Sequence, residues 1–228
     1  MLCLALDTST KTGGAALVKG DSILGEFVLD IERKTHSERV IPAIDSLLQG
    51  SGITMQEIEA LAIAYGPGSF TGLRIGVGTV KALSLSLNIP VYKVDTLEAL
   101  ASQIGFVDGI ICPIFNARRG EVYGAVWESR PKQDIFACVM ESRALSIDEL
   151  LLNVPKGDNL FFVGEGAISE RDAILQTFPH ATIVTGTNSM LHPGSVGLRA
   201  LKAGTPVDAD SLLPNYLRKS EAEVKRGL

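Results

Sequence analysis

The sequence predicts an α/β protein built from two mixed-sheet domains, and three observations lead to this fold class. The chain opens on an apolar, strand-like run, "LCLALDT", and a hairpin pattern follows it directly. Helical and strand-like runs then alternate up to about residue 105. The same order of elements begins again near Gly109, which indicates an internal duplication.

The first half divides into three strands followed by alternating helices and strands. A turn centred on Gly20 separates the two apolar runs of the hairpin. A helix is predicted from about Thr35 to Gln49, because Thr35 and Glu38 form a capping box and apolar residues then recur at helical spacing. The later elements are the strand "LAIAY", a glycine loop, a helix from about Ser69 to Leu87, the strand "PVYKV" and a helix that begins near Asp95.

The second half repeats this pattern in "IICPIFNARRGEVYGAVWESRPKQDIFACVM" and in the strands and helices that follow it. When the two halves are laid over each other, "LALDTS" falls on "PIFNAR" and Asp7 falls on Asn116. Identity between the halves is slight, so the order of elements carries the argument. The sequence therefore predicts an N-terminal lobe over residues 1–105 and a C-terminal lobe over residues 106–228.

Composition and charge limit the classes of function. The 228 residues carry a net charge of -5, and no basic face that would bind nucleic acid unaided is evident. No apolar run approaches the roughly 20 residues that span a bilayer. The three cysteines (Cys3, Cys112 and Cys138) lie in separate apolar runs, which predicts buried thiols in a reducing cytoplasm rather than disulfides or a zinc site.

Polar residues and glycines follow several predicted strands, where α/β folds place their ligands. We expect them to line a groove between the two lobes. The simplest alternative for Asp7 is an Asx turn at the end of its strand, without any ligand. The candidate groove residues are Asp7, Thr8, Ser9, Asn116, Gly164 and Gly166.

The glycine loop "GPGSFTGLRIG" fits neither common phosphate-binding pattern. It lacks the spacing of a Walker A loop, and Thr71 stands where a dinucleotide-binding loop needs a glycine. A tight turn with a serine or threonine helix cap accounts for the loop itself. Gly72 and Gly76 are four residues apart on one helix face, so that face predicts close approach by another backbone. Because the same helix is apolar nearly all round, a neighbouring helix or a second chain is expected to cover it.

Residue types that catalyse reactions or bind metals form no recognisable pattern. The three histidines do not pair at the spacing of helical metal ligands, and no nucleophile elbow or triad order is present. Arg118 and Arg119 either contact an anion or are solvated, and solvation is the simpler interpretation.

The stretches "YGPGSFTGLRIG", "ALDTST" and "NARRGEVY" closely resemble the TsaB family of the bacterial tRNA threonylcarbamoyladenosine machinery, and the late "PNYLRKSEAE" extends the match. The resemblance implies a duplicated RNase-H-like fold of the actin, Hsp70 and sugar-kinase type. It implies a non-catalytic scaffold without a cofactor, whose partner TsaD transfers threonylcarbamoyl to the adenosine next to the anticodon of ANN-decoding tRNAs. A further subunit, TsaE, joins that complex, so tRNA is contacted indirectly.

Two departures from related sequences bear on chemistry. The paralogue TsaD carries a His-x-x-x-His metal pair on its first helix, and here Val40 stands four residues after His36. The family usually has a carboxylate at the place of Asn116, and an amide binds divalent cations less well. Metal chemistry like that of TsaD is therefore not expected here, and nucleotide binding in the groove is doubtful.

The resemblance also implies that the first helix and the glycine helix form the surface that meets TsaD, and that a second copy can use the same surface. On that basis the partner-binding residues are predicted to be His36, Val40, Ala43, Ile44, Leu47, Gly72, Leu73, Arg74, Gly76, Val77 and Val80. Two alternative functions stay open: an ATP- or metal-dependent enzyme of the kinase type, and a glycoprotease-like peptidase.

Overall fold

The computed structural model describes residues 1–30, 36–157 and 159–218 and, for residues 30 and 36–38, the backbone alone. The first predicted helix begins at His36 in this description. Its proposed capping box, Thr35 with Glu38, lies outside the described side chains. Among the described residues, no helix is long and apolar enough to cross a membrane.

Six of the described strands form the first sheet, in the order β11-β5-β4-β1-β2-β3. The strand β1 is buried along its whole length, as its continuous apolar sequence predicts. It pairs antiparallel with β2 and parallel with β4, so the sheet is mixed. The six strands are β1 (Leu2–Asp7), β2 (Thr12–Lys19), β3 (Ser22–Asp30), β4 (Ala60–Gly66), β5 (Val91–Asp95) and β11 (Pro206–Val207).

The second sheet repeats the first and confirms the predicted duplication. Its strand order is β10-β9-β6-β7-β8. If the five strands of each half are numbered from one to five along the chain, both sheets have the order five, four, one, two, three, apart from the additional strand β11 in the first sheet. Both sheets carry helices, so the predicted α/β class with two mixed sheets is confirmed. The strands are β6 (Gly109–Arg118), β7 (Glu121–Arg130), β8 (Ile135–Leu145), β9 (Leu160–Val163) and β10 (Thr182–Ile183).

Helices cover the outer faces of both sheets and fill the space between them. The helices α1 (His36–Ser51) and α2 (Phe70–Leu87) pack on the outer face of the first sheet. The outer face of the second sheet is covered by α4 (Ile147–Asn153), α5 (Glu165–Ser169) and α6 (Arg171–Thr177). Between the sheets, α3 (Thr96–Gln103) and α7 (Pro193–Ala203) join both inner faces in one apolar core. The part of the chain that the structure describes thus has five layers, alternating helix and sheet.

The predicted lobe boundaries are wrong at the C-terminal end. After the second sheet is complete, the chain returns to the first lobe, where α7 packs on the inner face and β11 pairs with β5. A side chain at Gly197 of α7 would place its Cβ 2.6 Å from Val18 and 3.0 Å from Ala5, so this glycine permits the close packing of α7 on the first sheet. Residues 106–228 therefore do not form one lobe. No local sequence signal marks the return, because it depends on contacts between distant residues.

Two smaller predictions have opposite outcomes. The glycine helix is capped as predicted, with the Ser69 Oγ accepting a hydrogen bond from the Gly72 amide at 3.3 Å. Cys3 and Cys112 are buried, but Cys138 is exposed. The prediction of three buried thiols is therefore wrong for Cys138, which lies on β8 at the edge of its sheet, where the strand is mostly exposed.

The N-terminus of α7 is tied to β3 by the carboxylate of Glu26. Its oxygens accept a hydrogen bond from the Gly194 amide at 2.6 Å and lie 2.9 Å from the Nδ1 of His192. A carboxylate at a helix N-terminus is stabilised by the free amides and the helix dipole. We expect Glu26→Gln to lower the free energy of unfolding by about 1–2 kcal/mol, because the charge is lost while the shape is kept. Chemical denaturation measures this, and an unchanged stability would contradict the anchoring role.

Candidate partner-binding surface and inter-lobe groove

The predicted partner-binding residues of α1 and α2 lie mostly on the faces that pack against the chain's own sheet. Seven of them are apolar, and each of the seven is less than a tenth exposed. None of these seven side chains is available to a partner in this arrangement. The choice of contact residues is therefore corrected, while the use of this pair of helices stays a prediction. The residues concerned are Val40, Ala43, Ile44, Leu47, Leu73, Val77 and Val80. The side chain of His36 lies outside the described residues.

The glycine face of α2 has the same internal role. A Cβ on Gly76 would lie 2.3 Å from the Oγ1 of Thr8 and 3.0 Å from Ile63, both in the first lobe. The Thr8 hydroxyl donates a hydrogen bond of 2.7 Å to the carbonyl of Gly72. Gly76 therefore lets α2 pack closely on the end of β1, and Gly72 is buried on the same face. The expectation that this face admits a partner's backbone is wrong, because the chain's own strand end fills the space.

The outward face of α2 carries a row of exposed residues with small side chains at its centre. We call Thr71, Arg74, Gly78, Ala82 and Leu85 the outer row, because they recur every three or four residues and all are exposed. A Cβ on Gly78 would meet nothing within 4 Å. Leu85 is 64% exposed, and on the neighbouring α1 the apolar Ile41 is 56% exposed. Arg74, predicted at the rim, is exposed and donates from Nε to the Tyr216 hydroxyl at 2.9 Å.

The candidate groove residues fall into two groups. In the first lobe, Asp7, Thr8 and Ser9 are buried beneath the glycine loop, where the Ser69 amide donates to the Ser9 carbonyl at 2.7 Å. A Cβ on Gly68 would lie 2.3 Å from that same carbonyl oxygen, so the loop lies directly on the strand end. In this arrangement all three residues are shielded from solvent.

The second group lies at the ends of β6 and β9. Asn116 is exposed, and its Oδ1 accepts a hydrogen bond of 3.0 Å from the Ser169 hydroxyl. Gly164 and Gly166 are buried against Ile114, with Cβ positions 2.3 Å from its carbonyl oxygen and 2.6 Å from its side chain, respectively. These glycines therefore serve the packing of the turn on β6. No described hydrogen bond joins this group to Asp7.

Asp7 combines a hydrogen-bonded oxygen with an unpartnered one. Its Oδ1 accepts from the Ser9 amide at 2.8 Å and from the Ser9 hydroxyl at 2.6 Å, which is the Asx-type arrangement. Its Oδ2 is buried and has no hydrogen-bond partner among the described residues. Burial raises the pKa of Asp7 to about 6, although the hydrogen bonds from Ser9 act in the opposite direction.

This pKa predicts a pH-dependent stability that Asp7→Asn removes. The folded chain holds the proton more tightly than the unfolded chain, whose carboxyl has the ordinary pKa of 3.8. The resulting stabilisation is complete below pH 3.8 and is lost as the pH rises through about 6. We therefore expect the stability of the unmodified chain, relative to Asp7→Asn, to fall by up to about 3 kcal/mol between pH 4 and pH 7. Denaturation curves across this range test it, and parallel pH profiles would contradict it. Asp95, whose pKa burial also raises to about 6, is present in both chains and cancels.

A segment that the sequence analysis missed bridges the two lobes. We call Leu212–Arg218 the strap. The Asn215 amide donates to the Tyr65 carbonyl at 2.7 Å, and the Tyr216 ring stacks on Phe70 with 4.5 Å between centroids. At its far end, the Arg218 guanidinium donates to the carbonyls of Ala117 and Arg118 in the β6–β7 hairpin. The available signal was "PNYL", a proline, an aromatic and a leucine in an otherwise polar tail.

Comparison with known proteins identifies the family. A family model described as TsaD, tRNA N6-adenosine threonylcarbamoyltransferase, matches residues 28–226. The tRNA threonylcarbamoyladenosine biosynthesis protein TsaB of Bacillus subtilis is 35% identical over 227 residues, which cover 99% of this chain and 97% of that protein. The chain belongs to the TsaB family. The TsaB of Haemophilus influenzae is 31% identical over 172 residues, with 72% of this chain and 71% of that protein covered.

A solved structure agrees with the TsaB assignment. YeaZ from Pseudomonas aeruginosa superimposes with a TM-score of 0.78 at 28% identity, covering 95% of this chain and 99% of that one. In this TsaB-family chain, the described residues contain no group of three or more His, Cys, Asp and Glu side chains that could hold a metal ion. Val40, four residues after His36, is 3% exposed and belongs to the core under α1.

Proposed function

We propose that this TsaB-family chain is a non-catalytic subunit that binds TsaD and so supports the transfer of threonylcarbamoyl to the adenosine next to the anticodon in ANN-decoding tRNAs. The names of its relatives and the matching family model support this role in tRNA threonylcarbamoyladenosine biosynthesis. In the larger complex TsaE joins the pair.

The observation that carries the proposal is Gly78. A glycine inside an exposed helix costs about 1 kcal/mol relative to alanine. Gly76 has an internal reason, since Thr8 and Ile63 lie against it, and Gly72 is buried. Gly78, in contrast, is exposed and faces open space. A glycine at this position is accounted for if a second backbone packs closely on the outer row in the complex.

The neighbouring residues suit a helical partner. Ala82 continues the small surface beyond Gly78, and exposed Leu85 and Ile41 supply apolar area on both helices. Arg74 is held by Tyr216 at the other end of the outer row, and arginine and tyrosine are common in the binding hot spots of interfaces. The same face can pair with a second copy, since a two-fold interface uses one patch twice. A homodimer of the free chain would therefore compete with TsaD.

The proposed lack of catalysis is supported by the state of the groove residues. Asp7 is fully buried beneath the glycine loop, and the strap crosses from that loop to the hairpin of the second lobe. Asn116 supplies an amide, which binds divalent cations less well than a carboxylate does.

Reconstitution tests the function directly. TsaD, TsaE, threonylcarbamoyl-adenylate and an unmodified ANN-decoding tRNA are combined with and without this chain. We expect threonylcarbamoyladenosine to form only when the chain is present, and the isolated chain to form none. Equal product without the chain would contradict the scaffold role, and product from the chain alone would contradict its non-catalytic status.

A kinase-like, nucleotide-dependent activity is the second candidate, and the unpartnered Oδ2 of Asp7 is the observation in its favour. A carboxylate oxygen in that position could meet a magnesium ion if the glycine loop opened. Calorimetry with Mg-ATP distinguishes the two candidates. Tight binding that Asp7→Ala abolishes would favour the kinase-like function, and the scaffold proposal expects no measurable heat of binding.

A further inference from the structure

The β6–β7 turn holds two arginines in a backbone conformation that suits glycine or asparagine. Arg118 has φ 64°, Arg119 has φ 57° and Gly120 has φ 76°. Arg118 pairs with Glu121 across the hairpin, so Arg119 and Gly120 are the two central residues of a tight turn. Such turns favour Asn-Gly or Asp-Gly, because the left-handed region is costly for residues with larger side chains. The turn alone therefore does not explain the arginine at 119.

The strap braces this turn from behind. The Arg218 guanidinium donates to the carbonyls of Ala117 and Arg118 and forms an ion pair with the Glu121 carboxylate, at 3.1 Å from its Nε. The Arg218 side chain is 20% exposed, and its guanidinium contacts the hairpin rather than facing solvent. The same ion pair compensates Glu121, which otherwise would repel an anion that approaches the turn.

Arg119 lies at the tip of the turn that Arg218 holds in place. It is exposed and forms no ion pair with any described residue. Unusual backbone conformations that the surrounding structure maintains often mark functional positions. A guanidinium held on a rigid, narrow turn can donate two hydrogen bonds to one phosphate group.

We propose that the Arg119 turn contacts the phosphate backbone of the tRNA in the assembled complex. This inference rests on the proposed function, which makes a tRNA the substrate of that complex. The turn lies on the second lobe, and the strap joins it to Tyr216, which contacts Arg74 at one end of the outer row. Arg119 is exposed in the free chain, and the parallel measurement of TsaD affinity shows whether TsaD also reaches it. The chain has a net charge of -5 and its sequence shows no evident basic face, so we expect a local contact with RNA rather than an extended one. Such a contact positions the RNA and reads no sequence.

The test uses Arg119→Asn, which removes the guanidinium and puts a favoured residue into the turn. Arg171→Asn is the matched control, since Arg171 is an exposed arginine on the same lobe. Fluorescence anisotropy measures the affinity of the complex with TsaD for an unmodified ANN-decoding tRNA transcript, at several salt concentrations. We expect Arg119→Asn to weaken tRNA binding roughly 3- to 10-fold and to reduce the dependence of log affinity on log salt by about 1. Arg171→Asn should leave both quantities unchanged.

The affinity of the unmodified chain and of each variant for TsaD is measured in parallel. This measurement distinguishes a failure of the proposed function from a failure of the Arg119 proposal. If the unmodified chain does not bind TsaD, the proposed function fails. If it binds, but Arg119→Asn and the unmodified chain bind tRNA equally well, the assignment of the turn alone fails. A loss of TsaD binding with unchanged tRNA binding would make the turn a protein contact, which also overturns the inference.

Discussion

Gly78→Glu is expected to abolish binding to TsaD while the chain stays folded. A side chain at Gly78 meets nothing within 4 Å in the free chain, and glutamate favours a helix more than glycine does. If a partner's backbone packs on this position, the new side chain and its charge are buried without a counter-ion. We expect the dissociation constant for TsaD to rise at least roughly 100-fold, as for a truncated or blocked hot spot.

A smaller change separates stability from binding. Gly78→Ala should raise the free energy of unfolding by about 1 kcal/mol and still weaken TsaD binding, because one methyl group already prevents the closest approach. The matched control is Leu152→Glu, which changes an 85% exposed leucine on α4 of the second lobe. Leu152→Glu should bind TsaD normally. Normal binding by folded Gly78→Glu would contradict the position of the interface.

Val77→Glu is expected to unfold the chain rather than block a partner. Val77 is 4% exposed and packs in the core between α2 and the first sheet. A carboxylate in that position is buried without a partner, and such changes cost more than about 4 kcal/mol. Native proteins have a free energy of unfolding of about 5–15 kcal/mol, so a loss of this size removes a large part of the stability of the folded chain.

The control for this variant is Ala82→Glu on the same helix. Ala82 is exposed in the outer row, so the charge remains in water and circular dichroism should show a folded chain. Denaturation of the two variants side by side measures the difference. A stable, folded Val77→Glu chain would mean that α2 turns another face to the sheet, and the sequence-based choice of contact residues would then be restored.

The contrast between Val77 and Gly78 shows why the sequence predicted the helices but not their outward face. Apolar residues recur nearly all round α2, so Leu73 in the core and Leu85 on the surface have the same local pattern. A helix without a polar side gives no preferred direction of burial. Its start was predictable, because Ser69 caps the first turn through a local hydrogen bond.

The glycines illustrate the same limit. Gly76 and Gly78 are equivalent in sequence, but one lies against Thr8 and the other faces solvent. Thr8 is far from both along the chain, so only the packed fold distinguishes them. The duplication was predictable for the opposite reason, since the order of strands and helices is a local pattern that repeats.

Long-range returns of the chain were not predictable. Arg74 meets Tyr216 across 142 positions, and α7 completes a lobe that the chain left about a hundred residues earlier. The burial of Leu212 and the contacts of Arg218 depend on surfaces made elsewhere in the fold, so no local pattern predicts them. For the groove, the sequence located Asp7 correctly at a strand end but gave no sign that the glycine loop would cover it.

Site-specific photocrosslinking tests the central claim most directly. A photoreactive amino acid is placed at Leu85 in the outer row or at Leu152 on α4, and each chain is irradiated in the presence of TsaD. We predict crosslinks to TsaD from position 85 and none from position 152. Crosslinks from position 152 alone would contradict the claim that the exposed face of α1 and α2 is the surface that binds TsaD.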